Sequence, residues 1–231
     1  MTNQKRKQKE VDRKLLFRNI SAFILIFALV FIGAGRFYYW QGWLYIGLNV
    51  IFILASYFMI PSELTQERLK PGKGTKKWDK IYYIINVPLY FAMIIISALD
   101  AGRFGWEPHI PIYVVISAAF VYIVGQIIML WAKRENKFFS SVVRIQKDRE
   151  QTVCKEGPYG FVRHPGYLGG IIFTIATPIV LASFWGLIPA LLSVVTLFIR
   201  TYLEDKTLQE ELEGYKEYTN EIKYRIIPGI W

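Results

Sequence analysis

The sequence has few of the residues that hold metals or form covalent cross-links. It contains one cysteine, Cys154, and two histidines, His109 and His164. A single cysteine excludes an internal disulfide and a cysteine-rich metal cage, and two histidines disfavour a multi-histidine metal centre. We therefore expect no metal site in this chain.

Charge is also scarce: charged residues make up 20% of the 231 residues, whereas hydrophobic residues make up 53% and aromatic residues 16%. This composition excludes a disordered chain and argues against a water-soluble one. The formal net charge of +10 would suggest nucleic acid as the partner of a soluble protein. In so apolar a chain we expect anionic lipid headgroups instead, and no nucleic acid.

The apolar residues form six blocks, and four of them reach the length of about 20 residues that a helix needs to cross a bilayer. These four are roughly 20–35, 43–60, 81–99 and 111–132, and two further blocks follow near 166–183 and 185–203. The last two meet in a short turn, and they form either a full spanning hairpin or a partly re-entrant one. The predicted fold is an all-α polytopic membrane protein with about five to six transmembrane helices.

The basic residues alternate along the chain as the positive-inside rule requires. Of the 28 Lys and Arg residues, 26 fall in the stretches 1–18, 61–80, 133–164 and 200–231, while the intervening loops carry only Arg36 and Arg103. We therefore expect a multi-pass integral membrane protein with both termini in the cytoplasm.

Two regions are expected along the chain. Residues 1–132 would hold a basic N-terminal arm and four transmembrane helices, and residues 133–231 a cofactor-binding and catalytic region that includes the membrane hairpin. The stretch 61–80, with Pro71-Gly72-Lys73-Gly74, is predicted to be a flexible connector. A charged helix from 200 to about 222 is predicted to leave the membrane, with the last residues folding back.

Conformationally special residues concentrate between Gly157 and Gly170. Pro165 favours a helix start at that position, and the free N–H groups of such a start attract anions. Arg163 and His164 directly precede it, so the pattern predicts a compact polar site at membrane depth. A second polar pair, Arg200 and Glu204, shares one helix face. It is either a functional pair at the end of a span or a simple surface ion pair.

Together these residues resemble the isoprenylcysteine carboxyl methyltransferase family, a group of membrane methyltransferases related to the phospholipid methyltransferases. The resemblance covers about 140–231. The residues that carry it are Gly157-x-Tyr159, Arg163-His164-Pro165-x-Tyr167-x-Gly169, Arg200-x-x-x-Glu204, Tyr215-x-x-Tyr218 and Arg225-x-x-Pro228.

The resemblance implies an S-adenosylmethionine-dependent methyltransferase whose cofactor binds in a pocket of the C-terminal third, while a lipid or prenylated substrate enters from the bilayer. It implies catalytic roles for Arg163, Arg200 and Glu204, with Arg200 facing a substrate carboxylate. The implied cofactor contacts are Gln151, Thr152, Val153, Cys154, Tyr159, His164, Pro165, Gly166, Tyr167 and Glu204. Gln151 departs from the family, which commonly has histidine there, so this contact loses a ring and any charge.

Two other functions stay open on the sequence alone. An NADPH-dependent membrane reductase of the sterol-reductase type would need basic contacts to a phosphate, for which the chain offers only Arg144, Lys147 and Arg149. A non-catalytic membrane protein such as a small transporter would need polar residues within its spans, and only Asn49, Asn86 and Gln126 stand out. The sequence does not name the methyl acceptor, which could be a carboxylate or an amine, and it does not specify an oligomeric state.

Overall fold

The computed structural model describes residues 3–106 and 108–231, and the side chains of Arg13, 17–106 and 108–231. The described chain is helical, without strands. The helices are α1 (Asn3–Ala34), α2 (Trp40–Met59), α3 (Ser62–Leu69), α4 (Lys77–Ser97), α5 (Ile112–Glu135), α6 (Pro165–Val180), α7 (Leu187–Glu211) and α8 (Tyr215–Glu221). The predicted basic arm is helical from Asn3, and residues 1 and 2 lie outside the described part.

Five of these helices are long and apolar enough to cross a bilayer: α1, α2, α4, α5 and α7. A π-helix, Ala98–Phe104, extends α4. The sixth apolar helix, α6, has only 16 residues, so it is about 24 Å long and shorter than a hydrocarbon core of about 30 Å. Large apolar side chains such as Ile32, Phe58 and Ile84 stay exposed on the spans, where only lipid can cover them. The all-α, polytopic membrane fold is therefore confirmed.

The hairpin of α6 and α7 packs on α5 at a contact between two glycines. A side chain on Gly125 would approach the backbone of Gly169 and Phe173 to 2.9 and 2.8 Å, and one on Gly169 would approach the carbonyl of Gly125 to 2.5 Å. The absence of side chains lets the two helix backbones touch, as small residues do in membrane helix pairs. This contact fixes the start of α6, and with it the polar motif at 163–167, against α5.

The C-terminal segment folds back, as expected, onto the start of α6. The backbone N–H groups of Arg163 and His164 donate to the carbonyls of Tyr224 and Arg225 at 2.9 and 2.8 Å. Ile226 is fully buried in a cluster with residues of α6 and α7. The predicted helix over 200–222 is wrong in its middle, because α7 ends at Glu211 and the left-handed Gly214 (φ +78°) turns the chain into α8.

The prediction of a flexible connector over 61–80 is also wrong, because part of this stretch forms α3. Glu67 on α3 is buried and makes a two-point ion pair with Arg144, with Nε–Oε1 and Nη2–Oε2 distances of 3.1 and 3.0 Å. Arg68 donates to the carbonyls of Phe139 and Ser140, each at 3.1 Å. These contacts bind α3 to the loop after α5, and the sequence did not reveal them because the partners lie more than 70 residues apart.

The glycine contact gives a direct test of the packing. Gly169→Ala is expected to destabilise the protein by about 1–3 kcal/mol, because the added methyl group meets the backbone of α5, which cannot move aside without separating the helices. Thermal unfolding in detergent should show this as a melting temperature several degrees lower. Gly170→Ala is the matched control, since its methyl group meets only side-chain atoms at 3.5 Å. An equal loss in both variants would contradict the packing.

Candidate active site

A cavity of about 440 Å³ lies between α2, α4, α5, α6 and α7 and is bordered by the loop 136–159. Its volume lies within the range of small-molecule sites in proteins. One end of the cavity, here called the polar end, is lined by the loop, the start of α6 and the residues Arg200 and Glu204 of α7. The other end lies among side chains from the middle of the apolar helices.

The structure brings nearly all of the sequence-predicted site residues to this cavity. Its lining includes Gln151, Thr152, Val153, Cys154, Tyr159, Arg163, His164, Gly166, Tyr167, Arg200 and Glu204. Pro165 does not line it and instead occupies the first position of α6, with His164 as the residue before the helix. The roles assigned to these residues stay predictions, whereas their convergence on one cavity is observed.

Asp205 organises the polar end. Its side chain is fully buried, and it accepts two hydrogen bonds from Arg163, with Nε–Oδ1 and Nη2–Oδ2 distances of 2.8 and 2.9 Å. Arg225 Nε donates to Oδ2 at 2.9 Å, and His164 Nε2 lies 3.2 Å from Oδ1. Gln209 and Tyr215 also donate to the carboxylate, at 2.8 and 3.1 Å. One carboxylate therefore ties together α6, α7, α8 and the C-terminal segment.

Arg163 is engaged on both sides. Besides Asp205, its Nη1 donates to the carbonyls of Ile222 and Lys223 at 2.8 and 2.7 Å. Burial lowers the pKa of Arg163, but the bonds to Asp205 outweigh this effect and raise the pKa above its usual value. Arg163 is thus a permanent cation whose donors hold the C-terminal segment, which makes positioning its visible role.

Glu204 reaches the cavity beside His164. The hydroxyl of Tyr167 donates to Glu204 Oε2, and the rings of His164 and Tyr167 stack with centroids 5.6 Å apart. Because only one carboxylate oxygen is engaged by the described residues, the other can accept from a ligand. The polar end therefore offers a hydrogen-bond acceptor and a flat aromatic surface at the same point.

Arg200 does not pair with Glu204, although the two share a helix face. Its Nε donates to the buried Asp79 Oδ1 at 2.8 Å and its Nη2 to the carbonyl of Ser141 at 3.2 Å. The guanidinium also lies over the rings of Tyr82 and Tyr167, 4.6 and 5.4 Å from their centroids. The simple surface ion pair is excluded, and Nη1 has no carboxylate or carbonyl partner among the described residues.

The loop residues form one wall of the polar end. Gln151 Oε1 accepts from the backbone N–H of Gln146 at 2.7 Å, which holds the amide against the loop and leaves its nitrogen for a ligand. The Cys154 thiol lies 3.8 Å from the carbonyl of Glu135, and burial raises its pKa. A thiol that stays protonated is a poor nucleophile, so Cys154 is a wall residue.

Two basic side chains of the cavity lining have no carboxylate partner. Among the described residues, no carboxylate lies within ion-pair distance of Lys133 or Arg68, both of which line the cavity. Lys133 lies over the ring of Phe52, 5.2 Å from its centroid. Arginine and lysine inside or at the edge of a membrane span are costly unless a counter-charge meets them. The lining therefore favours an anionic ligand.

Sequence reasoning missed two functional carboxylates, Asp205 and Asp79. Asp205 directly follows Glu204 in the same motif, so its place at the charged end of an apolar run was the available signal. Asp79 gave no comparable signal, because its partner Arg200 is 121 residues away in the sequence. Both are fully buried and determine where the two arginines of the motif point.

Comparison with known proteins identifies the region that holds this site. Residues 114–210 match the model of the isoprenylcysteine carboxyl methyltransferase (ICMT) family. The chain carries an ICMT-family region. The ICMT match starts within α5, earlier than the predicted start near 140, and ends before α8 and the C-terminal segment. No curated protein matches the chain. The ICMT region supplies α5, the loop, α6 and most of α7, and these elements form most of the polar end.

The role of the buried carboxylate Asp205 in the ICMT region can be tested by substitution. Asp205→Asn should destabilise the protein by about 3 kcal/mol or more, because Arg163 keeps its charge in a buried place without a counter-charge. Thermal unfolding in detergent would measure the loss, and faster tryptic cleavage after Lys223 would report release of the C-terminal segment.

Glu210→Gln on the same helix is the control for this variant. Its side chain is 58% exposed and lies 3.8 Å from Lys206, so the change should alter stability by less than about 0.5 kcal/mol. If Asp205→Asn were as mild as Glu210→Gln, Asp205 would not hold the site together.

Proposed function

We propose that this integral membrane protein is an S-adenosylmethionine-dependent methyltransferase that methylates the carboxylate of a lipid-like or isoprenylcysteine-like acceptor from the bilayer. One observation carries the proposal: the ICMT region lines much of a cavity whose polar end brings together Glu204, His164 and Tyr167 and which continues between the membrane helices. The alternation of basic residues supports a cytoplasmic polar end and cytoplasmic termini.

The residues at the polar end fit the cofactor. Glu204 has a free carboxylate oxygen for an ammonium or a ribose hydroxyl, and Tyr167 and His164 offer ring faces to an adenine. The start of α6 carries the positive end of the helix dipole, which suits a carboxylate. When bound, S-adenosylmethionine supplies an electrophilic methyl group on a sulfonium.

The charges around the cavity support a carboxylate acceptor over an amine. Arg200 Nη1 has no carboxylate or carbonyl partner, and Lys133 and Arg68 lack carboxylate partners, within the described part of the chain. An anionic acceptor would receive hydrogen bonds and a counter-charge there. An amine acceptor would arrive as a cation or need a base to remove its proton. The free oxygen of Glu204 is assigned to the cofactor, His164 Nε2 faces Asp205, and Asp205 has five donors, so none of the three is placed as a free base.

The chain's contribution to catalysis would be alignment and exclusion of water. A carboxylate nucleophile needs no proton transfer, so the protein has to hold two molecules in line and keep the site dry. Arg200 is held by Asp79 and by the tyrosine rings, which fixes the direction of its Nη1. The C-terminal segment covers the start of α6. These features support roles for Arg200 in holding the acceptor and for Arg163 in positioning.

A reductase is less well supported. Of the three basic residues that could have met an NADPH phosphate, Arg144 is engaged by Glu67 and Asp148, and Arg149 donates to Gln146 at 2.6 Å and to the carbonyl of Lys137 at 2.9 Å. Two of the three are therefore committed to contacts within the chain. The non-catalytic hypothesis does not explain why the polar residues meet in one cavity.

The test uses purified protein, methyl-labelled S-adenosylmethionine, and three acceptors: N-acetyl-S-farnesylcysteine, decanoic acid and phosphatidylethanolamine. We expect label in one or both acids, released by mild alkali because it is a methyl ester. Alkali-stable label in phosphatidylethanolamine would show that the group that accepts the methyl is an amine and not a carboxylate. No transfer to any acceptor, together with oxidation of NADPH by a sterol-like substrate, would overturn the proposal.

Glu204→Gln should lower kcat/KM for S-adenosylmethionine by about tenfold or more, since a bond from a charged group contributes about 1.5–3 kcal/mol. Glu217→Gln, on the exposed face of α8, is the matched control and should leave kcat/KM unchanged. Equal values for the two variants would remove Glu204 from the cofactor site.

A further inference from the structure

The cavity continues past the polar end into a second polar group of side chains, here called the deep chamber: Tyr45, Asn49, Tyr90, Tyr122 and Gln126. They lie in the middle parts of α2, α4 and α5. The ring of Tyr122 contacts Phe173, with centroids 6.0 Å apart. Phe173 follows Tyr167 by six residues on α6, so the deep chamber lies about 9 Å further along the helix axis than the Tyr167–Glu204 contact.

The deep chamber is an organised hydrogen-bonding group. The hydroxyls of Tyr45 and Tyr90 are 3.0 Å apart, and Asn49 Nδ2 donates to the carbonyl of Tyr45 at 2.8 Å. Gln126 Nε2 donates to the hydroxyl of Tyr122 at 2.8 Å. A purely apolar lipid chain would not require these groups, and polar groups at this depth are costly unless they are paired.

Gln126 has a buried polar atom that lacks a hydrogen-bond partner among the described residues. Its side chain is only 8% exposed, and its Oε1 is buried without a hydrogen-bond partner among the described residues. The two ends of an amide are interchangeable in such a network. If the amide is turned over, Tyr122 donates to the oxygen and the nitrogen is left unpaired instead. In both orientations one polar atom of this cavity-lining residue is unpaired, and a hydroxyl can satisfy either atom, because it both donates and accepts.

We propose that the deep chamber binds a hydroxyl group on the acceptor lipid. This rests on the proposed function, because it places the acceptor's carboxylate at Arg200 and its chain in the cavity. The natural acceptor is then a lipid acid that carries a hydroxyl roughly 10 Å from the carboxylate, because the Tyr122–Phe173 contact lies about 9 Å beyond the polar end along α6. A plain alkyl or prenyl chain leaves Gln126 unpaired.

Decanoic acid and 10-hydroxydecanoic acid test this directly, because they differ only in the terminal hydroxyl. In the wild-type protein the hydroxy acid should have the lower KM, by about 2- to 12-fold, as expected for one net hydrogen bond. In Gln126→Leu this advantage should be lost, since the unpaired amide that meets the hydroxyl is gone. The ratio of the two KM values should therefore approach one in Gln126→Leu.

Met129→Leu is the matched control, because Met129 lines the same cavity one helical turn from Gln126 and has no hydrogen-bonding role to lose. It should keep the wild-type ratio. Equal ratios in wild type and Gln126→Leu would mean that water satisfies Gln126, and would overturn the proposal. So would a wild-type preference for decanoic acid.

A binding measurement separates this proposal from the proposed function. Thermal unfolding with S-adenosylhomocysteine and each acid needs no methyl transfer. If neither acid is methylated but 10-hydroxydecanoic acid stabilises the wild type more than decanoic acid does, and Gln126→Leu removes the difference, the deep chamber is supported and the methyltransferase is not. Methylation of both acids with no difference in binding would support the methyltransferase and overturn the hydroxyl site.

Discussion

The arrangement of the C-terminal region depends on one buried carboxylate, Asp205. A carboxylate without solvent is stable only if charges and donors surround it, and here it has two arginines, a histidine, an amide and a tyrosine hydroxyl. To make all these contacts with one carboxylate, the start of α6, the end of α7, the start of α8 and the C-terminal segment must meet at one point. The same contacts leave Glu204, the preceding residue of α7, directed at the cavity.

A second buried ion pair, between Asp79 and Arg200, connects α4 to α7, as Asp205 connects α6 to α8. Together the two carboxylates neutralise the arginines of the motif. The protein can therefore offer hydrogen bonds to an anion at the cavity without leaving these arginines unpaired. Lys133 and Arg68, on the side of the cavity formed by α3 and α5, have no carboxylate partner among the described residues.

The sequence predicted the helices well because membrane spans are encoded locally, as runs of about 20 apolar residues, and Pro165 marked the start of α6 through its fixed backbone angle. It also predicted which residues meet, since the motif itself was recognisable. It failed where partners are distant. The helix α3 looked like a connector because the partners of Glu67, which are Ser140 and Arg144, lie more than 70 residues away. Arg200 looked like the partner of Glu204 because Asp79 lies on another helix. That Asn49 and Gln126 line one cavity became visible only in the structure.

The most direct test of a cofactor site at the polar end is ultraviolet cross-linking of methyl-labelled S-adenosylmethionine to the purified protein, followed by peptide mapping. We expect saturable label confined to peptides between residues 144 and 215, competed away by S-adenosylhomocysteine and not by NADPH. Label in the helices before residue 114, or label that S-adenosylhomocysteine does not displace, would contradict a cofactor site formed by the ICMT region.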